Sequence, residues 1–146
     1  MEKKMDIDKL INKASKLVRN KMNNELEGIG LTYVQWSIIK DIYTIEEVEG
    51  DIEKLTPLEI GKRVGLDKAT MSSVVNRLIH NEWVEKIKNP MDKRSYYLLL
   101  TQKVRYHIDE LEKVSREVNI RATKELSSQE KRLLESYLKI VIENLE

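Results

Sequence analysis

A chain of 146 residues, 40% apolar and 35% charged, suits one soluble domain, or one that completes itself by dimerising; eight aromatics and no Phe are a light payload for a self-sufficient core. The absence of Cys excludes disulfides, Cys-based zinc sites and thiol redox sensing, and the two histidines, His80 and His107, stand too far apart in sequence to suggest a metal centre. Net charge is only +1, yet residues 56–105 hold ten Lys or Arg against five Asp or Glu, as one basic face on a near-neutral body would; an ordinary solvated surface explains charge alone equally well.

In chain order, residues 7–26 place Ile7, Leu10, Ile11, Ala14, Leu17, Val18, Met22 and Leu26 at three- and four-residue spacing, which predicts a long amphipathic helix. Gly28 and Gly30 end it, and Thr32 is positioned to cap a second helix through Ile42. Residues 44–55 are acidic and contain Gly50; they are expected to form a linker with a short paired strand at its end. Thr56, Pro57 and Glu59 form a strong start for a short third helix that stops at Gly65, with Glu59 completing a capping box. Asp67 is placed to cap a fourth helix over 68–80, where Met71, Val74, Val75 and Leu78 make one apolar stripe. Two short helices joined by a three-residue turn containing Gly fit a helix-turn-helix.

Strand-like runs at 83–88 and 95–100 flank a turn carrying Asn89, Pro90, Asp92, Lys93 and Arg94. Thr101 then starts a fifth helix expected to reach about Leu126, and Ser127 with Glu130 makes a capping box for a sixth helix with a double-width apolar stripe. The fold class that follows is mainly α with a small β-hairpin: a winged helix-turn-helix flanked by long terminal helices. Residues 1–146 are expected to be one domain, with 55–101 as the winged lobe and with 1–43 and 102–146 as dimerisation helices, because the apolar faces of the terminal helices are too wide to lie free in water. Packing of those helices on their own core is the alternative.

The fourth helix turns a face of small or polar residues away from its stripe, with no acid on it. Lys68, Thr70, Ser72, Ser73, Asn76 and Arg77 are the candidate DNA-binding residues there. Such a face enters a major groove about 12 Å wide without steric or charge conflict; Asn pairs with adenine, Arg with guanine, and Ser or Thr with bases or phosphates. In the turn, Asp92 and Arg94 are two residues apart and so share a side of an extended segment. Paired hydrogen bonds from Asp92 are expected to aim the Arg94 guanidinium, with Lys93 beside it, at phosphate or at a narrow minor groove.

Nearly the whole chain resembles the MarR (multiple-antibiotic-resistance regulator) family of winged-helix transcriptional regulators. The likeness lies in Leu31-Thr32 with Gln35, in the helix-turn-helix over 55–78, in Asp92-Lys93-Arg94, and in the Leu98–Thr101 strand end. The resemblance implies a homodimer that binds pseudo-palindromic double-stranded promoter DNA, with repression as the default, and that releases DNA on binding a small amphipathic or aromatic effector; a cytoplasmic location is expected by default, since the N-terminal residues 1–10 hold no apolar signal core. The effector crevice it implies would be lined by Met22, Tyr33 and Trp36, although core packing is the plainer role for each. A ligand-independent regulator, or a winged helix that binds protein, are the alternatives. Ser73, Glu82 and Val104 depart from the family pattern, and Asn81 is expected to supply the left-handed turn that a Gly usually makes at the Glu82 position. Neither a cofactor nor a metal site is expected, and no glycine-rich phosphate loop, nucleophile elbow or Cys–His pair suggests an enzyme. No run approaches the ~18 apolar residues of a membrane span.

Overall fold

A computed structural model describes Lys4 and residues 6–146. Its helices are α1 (Ile7–Leu26), α2 (Tyr33–Thr44), α3 (Pro57–Val64), α4 (Lys68–His80), α5 (Gln102–Ala122) and α6 (Ser128–Leu145), and its hairpin is β1 (Val84–Lys88) with β2 (Tyr96–Leu100). The strands pair antiparallel, from Val84 opposite Leu100 to Lys88 opposite Tyr96.

Side-chain caps set most helix starts. Thr32 Oγ1 accepts the Gln35 N–H at 3.2 Å while the Gln35 side chain takes back the Thr32 N–H at 2.9 Å. Ser127 and Glu130 make the same reciprocal pair at the start of α6. At α3 only half of the expected box forms: Thr56 accepts the Glu59 N–H at 3.3 Å, but the Glu59 carboxylate turns toward Lys62, 3.8 Å away. The fifth helix stops at Ala122, short of the expected Leu126, because Thr123 Oγ1 bonds back to the Asn119 carbonyl at 2.8 Å and the chain turns.

The core gathers around α2, whose Trp36, Ile38, Ile39 and Ile42 are buried against Met22 and Leu26 of α1, Ile60 of α3, Val75 and Leu78 of α4, Leu98 and Leu100 of β2, and Val104 and Leu111 of α5. Val104 is fully buried, so its bulk fills core volume rather than disturbing the start of α5. The first half of α1 and all of α6 contribute no buried side chain. Their apolar faces stand open: Ile7 and Leu10 on α1, and Leu133, Leu134, Tyr137, Leu138 and Ile142 on α6, are all exposed. Among the described residues, no helix is long and apolar enough to cross a membrane.

Residues 44–55 form no strand, and the sheet has two strands only. The segment is instead a π-helical turn over Ile45–Glu49, a left-handed Gly50 and a 3-10 turn over Ile52–Leu55. Its acids reach into the fold. Glu46 accepts the Leu100 backbone N–H at 3.2 Å and pairs with Arg105 at 3.1 Å, and Glu53 accepts the Tyr97 hydroxyl at 2.6 Å. A carboxylate therefore takes a strand-edge donor that a third strand would otherwise have paired.

The left-handed residue after α4 is Glu82 (φ 62°), not Asn81, whose φ is −88°. The Trp83 N–H reaches the Leu78 carbonyl at 2.9 Å and the Glu82 N–H reaches that of Ile79 at 3.0 Å, which is the Schellman pattern of a helix end. Trp83 and Leu78 are both buried, and that apolar contact holds the turn in a conformation costly for a residue with a Cβ.

Candidate nucleic-acid interface

The helix-turn-helix is close-packed at Gly61. A Cβ added there would lie 2.9 Å from Met71 Cγ and 3.2 Å from the Leu66 carbonyl oxygen, so glycine lets α3 approach α4. The turn ends in the N-cap Asp67. One of its oxygens accepts the Thr70 N–H at 2.7 Å and the other the Thr70 hydroxyl at 3.1 Å. The backbone bond, first, and then the hydroxyl hold the Asp67 carboxyl below its ordinary pKa.

Along α4, Met71, Val75 and Leu78 are buried and Val74 is half-buried. Lys68, Ala69, Thr70, Ser72, Ser73, Asn76, Arg77 and His80 are all exposed, so the expected apolar stripe and polar face are both present. The Thr70 hydroxyl is committed to Asp67, which makes Thr70 part of the cap as well as of the exposed face.

The hairpin turn is built differently from the sequence expectation. Asp92 Oδ1 accepts the backbone N–H of Arg94 at 2.9 Å, and no ion pair joins the Asp92 carboxylate to the Arg94 guanidinium. Asp92 shapes the turn and leaves the guanidinium free. The reason is local: a short Asp side chain two residues before an N–H closes an Asx turn more readily than it spans to a long Arg tip. Asn89 does likewise for the Met91 N–H at 2.9 Å.

Two parts of the expected site come together. Arg94 and Asp92 of the turn and Lys68 and Ser72 of α4 line one cleft of about 480 Å³, together with Pro57, Leu58, Lys62, Met71 and Tyr96. Asn76 and Arg77 lie farther along α4, and Lys93 stands exposed at the turn; none of these three lines the cleft. Among the described residues, Lys68, Arg77, Lys93 and Arg94 have no ion-pair partner, whereas Arg63 pairs with Asp41 and Arg105 with Glu46 and Glu47. Unpaired cations thus stand on both α4 and the hairpin turn, as they also do on the outer faces of α1, α5 and α6.

The expected crevice residues lie elsewhere. Met22 and Trp36 are 2% exposed and belong to the core, so neither offers a surface to a ligand within this chain. Tyr33 is half-buried, with its N–H held by Asn23 Oδ1 at 2.7 Å. The cleft under the hairpin was not foreseen. Its walls come from three separate stretches of the chain, 56–62, 66–72 and 92–96, and no local pattern in the sequence announces it.

A helix-turn-helix followed by a two-stranded wing, with free cations on both, defines a winged-helix regulator of transcription. The MarR family model matches residues 31–96. The chain is 30% identical over 114 residues to the HTH-type transcriptional regulator YwoH of Bacillus subtilis, covering 78% of this chain and 72% of that one. It belongs to the MarR family. Among solved structures, a mutant MarR from E. coli complexed with operator DNA superposes with a TM-score of 0.79 at 25% identity, covering 92% of each chain. The S. aureus MepR–DNA complex shares the fold with a TM-score of 0.84 at 17% identity, over 97% of this chain and 99% of that one.

Proposed function

We propose that the protein works as a cytoplasmic homodimer that represses transcription by binding a pseudo-palindromic duplex, α4 in the major groove and the wing beside it. The observation that carries this reading is the shared cleft edge of Lys68, Ser72 and Arg94, which aligns the free cations of helix and wing on one face. Duplex DNA offers a line of phosphates to such a face. Dimerisation follows from the open apolar faces of α1 and α6, which a second copy would cover. It would set two α4 helices about 34 Å apart, one DNA turn.

The effector belongs to the same proposal. The cleft's Leu58, Met71 and Tyr96 with Lys62, Lys68 and Arg94 at its edge suit an amphipathic anion. A ligand seated there would engage two cations of the DNA-binding face, and so compete with DNA.

Selection of bound duplexes from a random pool tests the reading and gives the half-site spacing. A salt series on the recovered duplex completes it: affinity should fall about 10³-fold or more between about 50 and 200 mM salt. No recovered duplex, or weak binding flat with salt, overturns the proposal and favours a winged helix that binds protein.

A further inference from the structure

Met91 sits at the tip of the wing and is 90% exposed, the most open large apolar side chain among the described residues. It takes no part in the core. Its backbone is nevertheless pinned. The Met91 N–H donates to Asn89 Oδ1 at 2.9 Å, and the Arg94 N–H to Asp92 Oδ1 at 2.9 Å. The Asp92 and Ser95 N–H groups close the loop on the carbonyls of Asn89 and Asp92 at 3.3 and 3.1 Å. Pro90 adds a fixed φ just before it. Lys88, Lys93 and Arg94, all exposed, surround this tip, and none has an ion-pair partner among the described residues.

A rigid, cation-flanked hairpin tip is a form that enters a minor groove, and at its foremost point this one carries a thioether where a polar residue would be expected. We infer that Met91 is a specificity-determining residue that packs against the floor of the minor groove and selects against G·C pairs beneath the wing. The inference rests on the DNA-binding reading above. Guanine alone places an amino group, N2, in that groove. A methionine side chain laid over it displaces water and returns almost no hydrogen bond, so the donor is left unsatisfied. Adenine and thymine show only acceptors there, of the kind that G·C pairs also carry, so the N2 amino group is the extra polar group that methionine leaves unpaired.

The test uses the full-length protein on a duplex recovered by selection, with the base pairs under the wings set to A·T, G·C or inosine·C, which lacks the N2 amino group. Wild type should bind the A·T and inosine duplexes alike and the G·C duplex about tenfold more weakly. Met91→Ala should shrink that ratio, and Met91→Asn should abolish it, because an amide oxygen accepts from N2. Met91 touches no core residue, so both variants should fold with wild-type circular dichroism. An unchanged G·C penalty in both variants, or no penalty in wild type, overturns the inference while leaving DNA binding intact. Failure of wild type to bind any duplex is a different result, which overturns the DNA-binding reading and this inference with it.

Discussion

Arg63 of α3 grips Asp41 of α2 through two parallel hydrogen bonds, Nε to Oδ1 at 3.0 Å and Nη2 to Oδ2 at 2.9 Å, while Nη2 also donates to the Lys54 carbonyl at 2.5 Å. The hydrogen bond to Asp41 is the main reason the Arg63 pKa is raised. One side chain therefore ties the core helix, the acidic segment and the first helix of the helix-turn-helix. Arg63→Ala should lower stability by about 1–3 kcal/mol in a denaturant melt, because a half-buried Asp41 loses its partner. Arg63→Lys should recover little of this, since an ammonium cannot make the planar pair. Equal stability of all three proteins would show that packing alone fixes α3.

The wing separates two roles that the sequence joined. Asp92→Asn keeps an acceptor for the Arg94 N–H and should bind DNA within about twofold of wild type. Asp92→Ala loses the turn bond, worth about 1 kcal/mol, and should bind more weakly. Arg94→Ala should leave stability unchanged and lower DNA affinity, with a shallower salt dependence. Were Asp92→Asn as damaging as Arg94→Ala in a binding titration, the carboxylate's charge would matter after all.

Glu82 occupies the left-handed region at φ 62° without the freedom of glycine. A non-glycine residue there costs about 1–2 kcal/mol, and part of that is returned by the greater entropy glycine has in the unfolded chain. Glu82→Gly should raise stability by up to about 1 kcal/mol, measured by thermal or urea unfolding. A loss of stability would mean that the Glu82 side chain makes a favourable contact of its own.

If α6 is a dimer surface, Leu138→Glu places charge on its open apolar face. Sedimentation should then report a monomer where wild type is a dimer, with secondary structure retained and binding to a full palindrome sharply reduced. A wild-type mass already that of one chain would remove the premise.

Asp67 links α4 to acid. Its pKa is lowered chiefly by the Thr70 N–H, so the folded value lies below the unfolded one. The cap therefore contributes fully above the unfolded value, near pH 4, and is lost as pH falls through the folded value. A carboxyl resonance titration should place Asp67 below ordinary aspartates. Asp67→Asn, a neutral cap of similar quality, should flatten that portion of the acid limb.

These cases show how much the sequence could say. Thr32, Asp67 and Ser127 were legible as caps because their partners lie three residues away. The polar face of α4 was legible because helical periodicity is local. Residues 44–55 were not: Glu46 and Glu53 find Leu100 and Tyr97 more than forty positions on, and nothing in an acidic stretch announces such distant partners. Glu82 misled because Asn81 is the better left-handed residue by intrinsic preference, and only the burial of Trp83 decides against it. The cleft under the wing stayed hidden for the same reason, since α3, α4 and β2 meet there only once folded.

The division between paired and unpaired cations has a consequence for counterion release. Arg63 and Arg105 are already neutralised within the protein and displace no sodium or potassium from a duplex. The salt exponent of a bound dimer should then follow the unpaired Lys68, Arg77, Lys88, Lys93 and Arg94 of each copy, about ten charges and a slope near −9, because Lys86 and Lys103 lie over the Tyr96 and Trp83 rings; the basic residues of the whole segment would give a steeper value.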